Sequence, residues 1–237
     1  MQEQNNDPIG QAILDFAKEG KAEDIIVASD LCDDDIIPTN YLFRTPDEMP
    51  LIERAALDLC TGKILDVGAA AGCHAIYLKE QNKEVHAIDT SKSAVEFLNE
   101  KGIDARQVNF YDLKDEKYDT ILMLMNGIGM AGTLSNVDNF LNHAKSLLTP
   151  EGKILIDSTD IMYLYEDEDG SVWVDLNTEY YGNFRYQMKY KNQESEWFDW
   201  LYLDAEKFLS AADRCGLDFE VIETEDYSFL VQLTIAQ

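Results

Sequence analysis

The sequence predicts an α/β fold with a doubly wound, mostly parallel sheet and helices on both of its faces. A short apolar run at 64–67 leads into a turn of small residues and then into a helical pattern at 73–78. Similar strand–helix units with short connections follow as far as residue 157, and this repetition is typical of parallel sheets. Two further apolar runs, at 218–224 and 228–235, are separated by a turn and indicate a final antiparallel pair.

The N-terminal region, residues 1–60, is predicted to form a helical cap. Apolar residues at helical spacing indicate a first helix that ends at Gly20. A second helix is expected over 25–31, before an aspartate-rich loop. A third is expected over 47–60, where apolar residues recur on one face.

The parallel strands are expected in a regular order after the turn. Each of them ends next to a polar loop, and in a doubly wound sheet ligands bind beyond the carboxyl ends of the strands. The predicted strands are 85–88, ending in Asp89; 106–110, ending near Asp112; 120–125, followed by Asn126; and 153–157. The predicted helices between them are 92–101, capped by Ser91, and 136–148.

Residues 160–202 interrupt the strand–helix pattern after the fifth strand. Alternating runs at 172–176 and 184–190 predict an antiparallel β insert, and a helix is expected from Asp204 to Cys215. Large aromatic residues are frequent in this segment. These residues are candidates for covering a substrate pocket. The alternative is that they only pack against one another across neighbouring strands.

Composition limits the classes of function. The 237 residues carry 46 acidic and 19 basic side chains, a formal net charge of −27, and no basic run. Nucleic-acid affinity comes largely from Lys and Arg at phosphates, so we expect no nucleic-acid partner. Four scattered cysteines without C-x-x-C spacing favour reduced thiols and a cytoplasmic protein, and no metal site is expected. Neither a signal peptide nor a membrane span is predicted.

The turn after the first parallel strand carries the most specific motif. Asp66, Gly68, Ala70 and Gly72 match the pattern acidic-x-G-x-G-x-G, with alanine at the middle glycine. The dinucleotide pattern G-x-G-x-x-G fits less well, because it would place Cys73 at its third glycine. The chain therefore resembles the class I S-adenosylmethionine-dependent methyltransferases. The resemblance covers roughly residues 41–237 and implies a seven-stranded sheet whose last strand is antiparallel.

The resemblance implies S-adenosylmethionine as the cofactor. Asp89 stands where a carboxylate accepts from both ribose hydroxyls, and Asp112 stands where an acidic residue accepts the adenine amino group. Asp66 would reach the turn backbone or the methionine amino group. The residues implied to bind the cofactor are Arg44, Asp66, Gly68, Ala69, Ala70, Gly72, Asp89, Thr90, Tyr111, Asp112, Leu113, Met125 and Asn126.

The segment before the turn is similar to a bacterial branch that methylates small molecules. Its features are Tyr41-Leu-Phe-Arg44, Met49-Pro50 and Glu53, and the loop after the fourth strand is Asn-Gly-Ile-Gly rather than Asn-Pro-Pro-Tyr. This loop argues against the branch that methylates nucleobases or glutamine. We expect a small-molecule substrate and allow for a homodimer. The candidate substrate residues are Tyr41, Asn126, Tyr163, Trp173 and Tyr181.

Methyl transfer needs an acceptor lone pair held in line with the methyl group, and needs a base only if the acceptor keeps a proton. His74, beside the turn, is the candidate base, and a structural role is its alternative. Arg44 is expected to pair with the methionine carboxylate, with an acidic substrate, or in a surface salt bridge.

Two other functions remain open at the level of the sequence. The first is a non-catalytic protein that binds S-adenosylmethionine as a sensor or assembly partner. The second is a nicotinamide-dependent Rossmann oxidoreductase. This function is disfavoured by the alanine and cysteine in the turn and by the final antiparallel pair of strands.

Overall fold

The computed structural model describes residues 6–167, 171 and 179–236. Its helices and strands follow the α/β pattern. The helices are α1 (Pro8–Glu19), α2 (Leu51–Leu59), α3 (Cys73–Glu80), α4 (Lys92–Glu100), α5 (Val137–Ser146) and α6 (Ala205–Arg214). The strands are β1 (Ile25–Ser29), β2 (Asp35–Ile37), β3 (Lys63–Val67), β4 (Glu84–Asp89), β5 (Asp104–Gln107), β6 (Tyr118–Met123), β7 (Leu148–Thr159), β8 (Asn183–Tyr190), β9 (Gln193–Glu194), β10 (Phe198–Leu201), β11 (Leu217–Glu225) and β12 (Ser228–Ile235).

Seven strands form one mixed sheet in the order β11-β12-β7-β6-β3-β4-β5. Strand β12 runs antiparallel to both of its neighbours, β7 and β11, and the other six strands run parallel. The chain passes outward from β3 to β5 and, after β6, outward again to β7. This reversal of strand order defines a doubly wound sheet. The predicted fold class is therefore confirmed.

The chain divides into two compact units. The first takes the residues up to Met49, then Gly62–Lys114 and Arg185–Phe198. It contains strands β3 to β5, and helix α1 packs against α4. Phe43 links the two helices, because it contacts one aromatic ring in each of them. Phe43 stacks on Phe16 at 4.5 Å between ring centroids and meets Phe97 edge-on at 5.6 Å.

The second unit takes Pro50–Thr61, Asp115–Phe184 and Asp199–Gln237. Helix α2 packs on β11 and β12, and α5 packs on α6. The central strand β6 is almost wholly buried, as its continuous apolar run predicts.

The predicted helix over 25–31 is wrong, because residues 25–29 form β1. Ile25 and Val27 are buried, whereas Ile26 between them is 40% exposed, which is the period of a strand. The β-branched residues of β1 pair antiparallel with β2, Ile26 opposite Ile36, and also with β8. The expected N-terminal helical cap therefore includes two strands.

The third parallel strand also differs from its predicted bounds. The third parallel strand, β5, ends at Gln107, and Phe110–Asp112 form a short 3₁₀ turn. The Asn109 side chain accepts the backbone N–H of Tyr111 and so favours the turn over a longer strand.

Within the described part of 160–202, Met162–Tyr165 form a 3₁₀ turn and the strands begin at Asn183. Strands β8 and β9 pair as a hairpin, with Lys189 opposite Glu194, and β8 also pairs with β1 of the N-terminal region. The predicted strand at 172–176, with Trp173, lies outside the described residues.

Replacing Gly72 by alanine should destabilise the protein more than replacing Gly20. Both glycines have left-handed backbone, with φ of +77° and +69°, so either alanine costs about 1–2 kcal/mol in strain. A Cβ at Gly72 would also collide with the buried side chain of Leu98, whereas a Cβ at Gly20 meets open space. Overpacking of this kind adds about 1–3 kcal/mol. Urea unfolding measures both variants, and equal losses would contradict the packing argument.

Candidate active site

The turn between β3 and α3 folds through left-handed backbone. Gly68, Ala70 and Gly72 have φ values of +73°, +47° and +77°. The N–H of Gly68 donates to the carbonyl of Ile88 at 2.9 Å, and the N–H of Gly72 donates to the carbonyl of Ala69 at 2.7 Å. The turn is thus tied to β4 and carries only methyl groups or hydrogen as side chains. Its backbone can approach a ligand closely.

Asp66 lies one residue before the end of β3 and is only 2% exposed. It accepts the backbone N–H of Ala75, whereas its Oδ2 has no hydrogen-bond partner among the described residues. Burial raises its pKa from 3.8 to about 6, against a lowering effect of His74 and the Ala75 N–H; the nearby Asp89 raises it further. A buried carboxylate oxygen without a partner favours a positively charged donor.

Asp89 ends β4 and braces the same turn. Its Oδ2 accepts the backbone N–H of Ala70 at 2.9 Å, and its Oδ1 accepts that of Ser91 at 2.7 Å. Burial raises the pKa of Asp89, the N–H groups of Ser91, Ala70 and Thr90 oppose that shift, and the negative charge of Asp7 adds to it. The side chain is partly exposed, so its remaining lone pairs can accept from a ligand.

Asp7 is a residue of this region that sequence reasoning missed. It caps α1 by accepting the N–H of Gly10, and its Oδ2 accepts the Ser91 hydroxyl at 2.7 Å. The Asp-Pro pair at a helix start is a capping signal, but nothing in the local sequence indicates that this cap also contacts the loop after β4.

Arg44 and His74 are both buried, so the surface salt bridge considered for Arg44 is wrong. Arg44 is 4% exposed, and its guanidinium donates to the Tyr41 carbonyl at 2.7 Å and lies 4.2 Å from the Tyr41 ring centroid. One guanidinium nitrogen is 3.3 Å from His74 Nε2. The structure therefore brings His74, which the sequence singled out on its own, to the segment that holds Tyr41 and Arg44.

The residues predicted to contact an adenine ring lie at the 3₁₀ turn after β5. Leu113 is buried, Tyr111 is partly buried and packs at 5.7 Å from Phe110, and Asp112 is exposed. Thr90, after β4, is exposed as well, and its carbonyl accepts from the side chain of Gln107.

In the second unit, the loop after β6 is held by a buried carboxylate. Met125 and Asn126 both have left-handed backbone, at φ +66° and +59°. Asp157, in β7, accepts the N–H of Asn126 at 2.9 Å and that of Gly127 at 2.8 Å. Burial raises the pKa of Asp157 to about 6, the two N–H donors lower it, and the charge of Glu53 raises it.

Sequence reasoning did not single out Asp157 as a site residue, and used Glu53 only as part of a family pattern. Both are buried, at 4% and 3% exposure. The position of Asp157 near the carboxyl end of a parallel strand is the signal that identified Asp89, and it applies equally here.

A second polar group in this unit joins tyrosines of the insert to two aspartates. Tyr181 donates to Asp160 at 2.9 Å, and Tyr180 donates to Asp204 at 2.6 Å. Burial and these carboxylates raise the pKa of both phenols. Tyr163, another candidate substrate residue, instead stacks on Tyr227 at 4.2 Å between centroids.

Comparisons with known proteins agree with this geometry. The family model described as a methyltransferase domain matches residues 65–154. The chain is also similar to an S-adenosylmethionine-dependent methyltransferase from Bacteroides fragilis, whose crystal structure is a complex with S-adenosylhomocysteine. The two sequences are 47% identical, and the structures match with a TM-score of 0.91 over 98% of this chain and 96% of that chain.

More distant relatives share less sequence. An uncharacterised methyltransferase of Staphylococcus carnosus is 24% identical over 73% of this chain and 78% of its own length. The structure of the CcbJ methyltransferase from Streptomyces caelestis is 15% identical, with a TM-score of 0.60 over 81% of this chain and 94% of that chain. At this identity the last likeness is one of fold alone.

The raised pKa of Asp66 predicts how stability depends on pH. Because the folded-state pKa of about 6 exceeds the unfolded value of 3.8, the folded state binds the extra proton, and this contribution is lost as pH rises from about 4 to about 6. Above pH 6 the folded state must bury Asp66 as a charged carboxylate, and Asp66→Asn removes that cost. The variant should therefore be more stable than the wild type at pH 7.5, by on the order of 3 kcal/mol.

Urea unfolding at pH 4, 5, 6 and 7.5 checks this prediction. Asp112→Asn is the control, since it removes an exposed carboxyl group and should change stability by less than about 0.5 kcal/mol. Parallel pH profiles for wild type and Asp66→Asn would contradict the assignment.

Proposed function

Given that the chain belongs to the S-adenosylmethionine-dependent methyltransferases, we propose that it transfers the methyl group of S-adenosylmethionine to a small-molecule acceptor. The observation that carries this proposal is the left-handed turn after β3 with the unpartnered Asp66 oxygen beside it. Family membership removes the nicotinamide-dependent alternative. Family membership also favours an enzyme over the non-catalytic sensor or assembly protein.

The residues of the first unit fit this cofactor. The methionine part of S-adenosylmethionine carries an ammonium group, which supplies the positive donor that Asp66 Oδ2 lacks. Asp89 would accept the ribose hydroxyls with the lone pairs that its backbone donors leave. The turn Gly68–Gly72 would approach the ligand by its backbone, because no side chain larger than methyl projects from it.

Arg44 is the candidate partner of the methionine carboxylate. A buried guanidinium favours a carboxylate through charge-assisted hydrogen bonds. We assign His74 the role of positioning Arg44, because its Nε2 is 3.3 Å from the guanidinium. Tyr111, Asp112 and Leu113 are assigned to the adenine, Leu113 as a buried apolar wall and Asp112 as an exposed acceptor.

Catalysis by this chain then rests on positioning. When bound, S-adenosylmethionine supplies a methyl group that its sulfonium makes electrophilic. The chain contributes rigid carboxylates that orient the cofactor, and a loop after β6 that Asp157 fixes through two N–H groups. Holding reactants in the attack geometry supplies a large part of the rate in such reactions.

Charge and composition support a small-molecule acceptor. A net charge of −27 repels phosphate backbones, so a nucleic acid is disfavoured as the acceptor. We assign the acceptor to the second unit, where Asn126 and the tyrosines and aspartates of the insert gather polar groups around aromatic rings. None of the helices in the described part of the chain has the length and apolar composition of a membrane-spanning helix.

Ligand-induced stabilisation tests the cofactor. S-adenosylmethionine or S-adenosylhomocysteine at a hundred times its dissociation constant should stabilise the protein by about 2.7 kcal/mol, and NAD should not. Stabilisation by NAD alone would reject the proposal. Turnover is then measured with methyl-labelled cofactor and pools of small molecules.

Asp89→Asn should weaken binding of S-adenosylhomocysteine at least tenfold. Hydrogen bonds to a charged group contribute about 1.5–3 kcal/mol each, and the amide carries no charge. Calorimetry measures the affinity, and Glu100→Ala, which removes an exposed carboxyl group on α4, is the control. Wild-type affinity in a folded Asp89→Asn protein would reject the ribose assignment.

Alanine at Tyr163 and Tyr181 together should leave the affinity for S-adenosylhomocysteine within about threefold, well under the tenfold that 1.4 kcal/mol represents. The same variant should raise the KM for the acceptor or reduce turnover. Leu209→Ala, an exposed apolar residue of α6, is the control. A folded double variant that loses cofactor binding and keeps acceptor binding would contradict this division of roles.

A further inference from the structure

The side-chain amide of Asn126 presents a buried hydrogen-bond acceptor without a donor. Its Nδ2 donates to the carbonyl of Leu201 at 2.9 Å, and its Oδ1 has no partner among the described residues. The amide cannot be flipped, because a carbonyl can only accept and would then face an oxygen. The residue is 9% exposed, so bulk water does not serve this atom freely. A ligand N–H or O–H would satisfy it.

The backbone around Asn126 is held in place against strain. Met125 and Asn126 both adopt left-handed conformations that cost most residues about 1–2 kcal/mol. Asp157 offsets this by accepting the N–H groups of Asn126 and Gly127. Strained backbone maintained in this way is frequent at ligand-binding sites. The position of Oδ1 is thereby fixed.

The charged surroundings of Asn126 are negative. Asp157 lies directly against its backbone and accepts its N–H. Burial raises the pKa of Asp157, and the negative charge of Glu53 adds to that effect. A neutral hydroxyl would satisfy Oδ1 but would bring no positive charge toward Asp157. An ammonium or amine nitrogen supplies both an N–H and positive charge.

The tyrosine–aspartate group of the same unit also offers acceptors rather than donors. The Tyr180 hydrogen is used on Asp204, and the Tyr181 hydrogen is used on Asp160. Asp160 Oδ1 also accepts the N–H of Met162, and Asp204 Oδ1 accepts that of Lys207. What remains free in this group is carboxylate and phenol lone pairs, which favour a ligand rich in N–H or O–H donors.

From these contacts we propose that the methyl acceptor is a primary or secondary amine whose N–H donates to Asn126 Oδ1. This inference rests on the proposed methyl transfer to a small molecule and specifies its substrate class. An amine that arrives as ammonium first releases one proton to water, which exposes the nitrogen lone pair. That lone pair forms the new N–C bond while the methyl–sulfur bond breaks and leaves its electron pair on sulfur. The nitrogen gains the positive charge and then releases an N–H proton to water.

The same geometry limits the extent of methylation. A primary amine and its monomethyl product each keep an N–H for Asn126 Oδ1 when the lone pair is free. A dimethylated, tertiary nitrogen has none. Methylation therefore stops at the tertiary amine, and no quaternary ammonium product forms.

The test uses the full chain, methyl-deuterated S-adenosylmethionine and the small-molecule extract of a bacterial cell, divided on a cation-exchange resin. We expect the deuterated product in the retained, cationic fraction, with the label on a nitrogen that bears one or two methyl groups. A label on oxygen, sulfur or carbon, or a quaternary nitrogen, would overturn the amine assignment while leaving methyl transfer intact. No labelled product in any fraction, with S-adenosylhomocysteine still bound, would overturn the proposed function itself and the amine with it.

Asn126 variants test the contact on the amine so identified. Asn126→Gly keeps the left-handed backbone and removes the oxygen, so the KM for the amine should rise at least tenfold. Asn126→Asp restores an acceptor oxygen and should recover most of that loss. If the glycine variant does not fold, Asn126→Ala, which also lacks the oxygen, is measured in its place. Asn139→Ala, an exposed amide of α5, is the control. An unchanged KM in the folded variant that lacks the oxygen would contradict the contact.

Discussion

The turn after β3 depends on a backbone conformation that most residues avoid. Three of its five positions, Gly68, Ala70 and Gly72, are left-handed, and a side chain at Gly72 would enter the space of the buried Leu98. The chain can pass from strand to helix here only because these residues are small. The same smallness lets the backbone of the turn approach a ligand closely, so one steric constraint serves both folding and ligand binding.

Carboxylates near strand ends form the second feature on which the site depends. Asp66, Asp89 and Asp157 lie in β3, β4 and β7, and burial raises the pKa of each. Backbone N–H donors offset part of the cost of burying each carboxylate: one bonds to Asp66, and several bond to Asp89 and to Asp157. The remaining negative potential favours cationic ligands. This agrees with a positively charged cofactor and with an amine as acceptor.

The N-terminal region shows how pairing partners override a local pattern. Ile25, Ile26 and Leu31 have a spacing compatible with a helix, yet 25–29 form β1. The strand gains two partners, β2 from the next segment and β8 from the insert about 160 residues later. A pairing partner so far away in the sequence cannot be recognised from the residues around β1 alone. The same reason explains why Asp7, far from the glycine turn in sequence, contacts Ser91.

The sequence by itself determined the α/β class, the parallel strands, the turn and the acidic residue after β4, because hydrophobic period and small-residue spacing are local properties. It also determined the family, through Asp66, Gly68 and Gly72. Only the tertiary structure decided that Arg44 is buried beside His74 and that Asp157 holds the Asn126 loop. It alone decided that Asn126 Oδ1 is left without a donor. These are contacts between residues that lie 30 to 75 positions apart, and hydrogen-bond satisfaction is a property of the folded chain that no sequence pattern encodes.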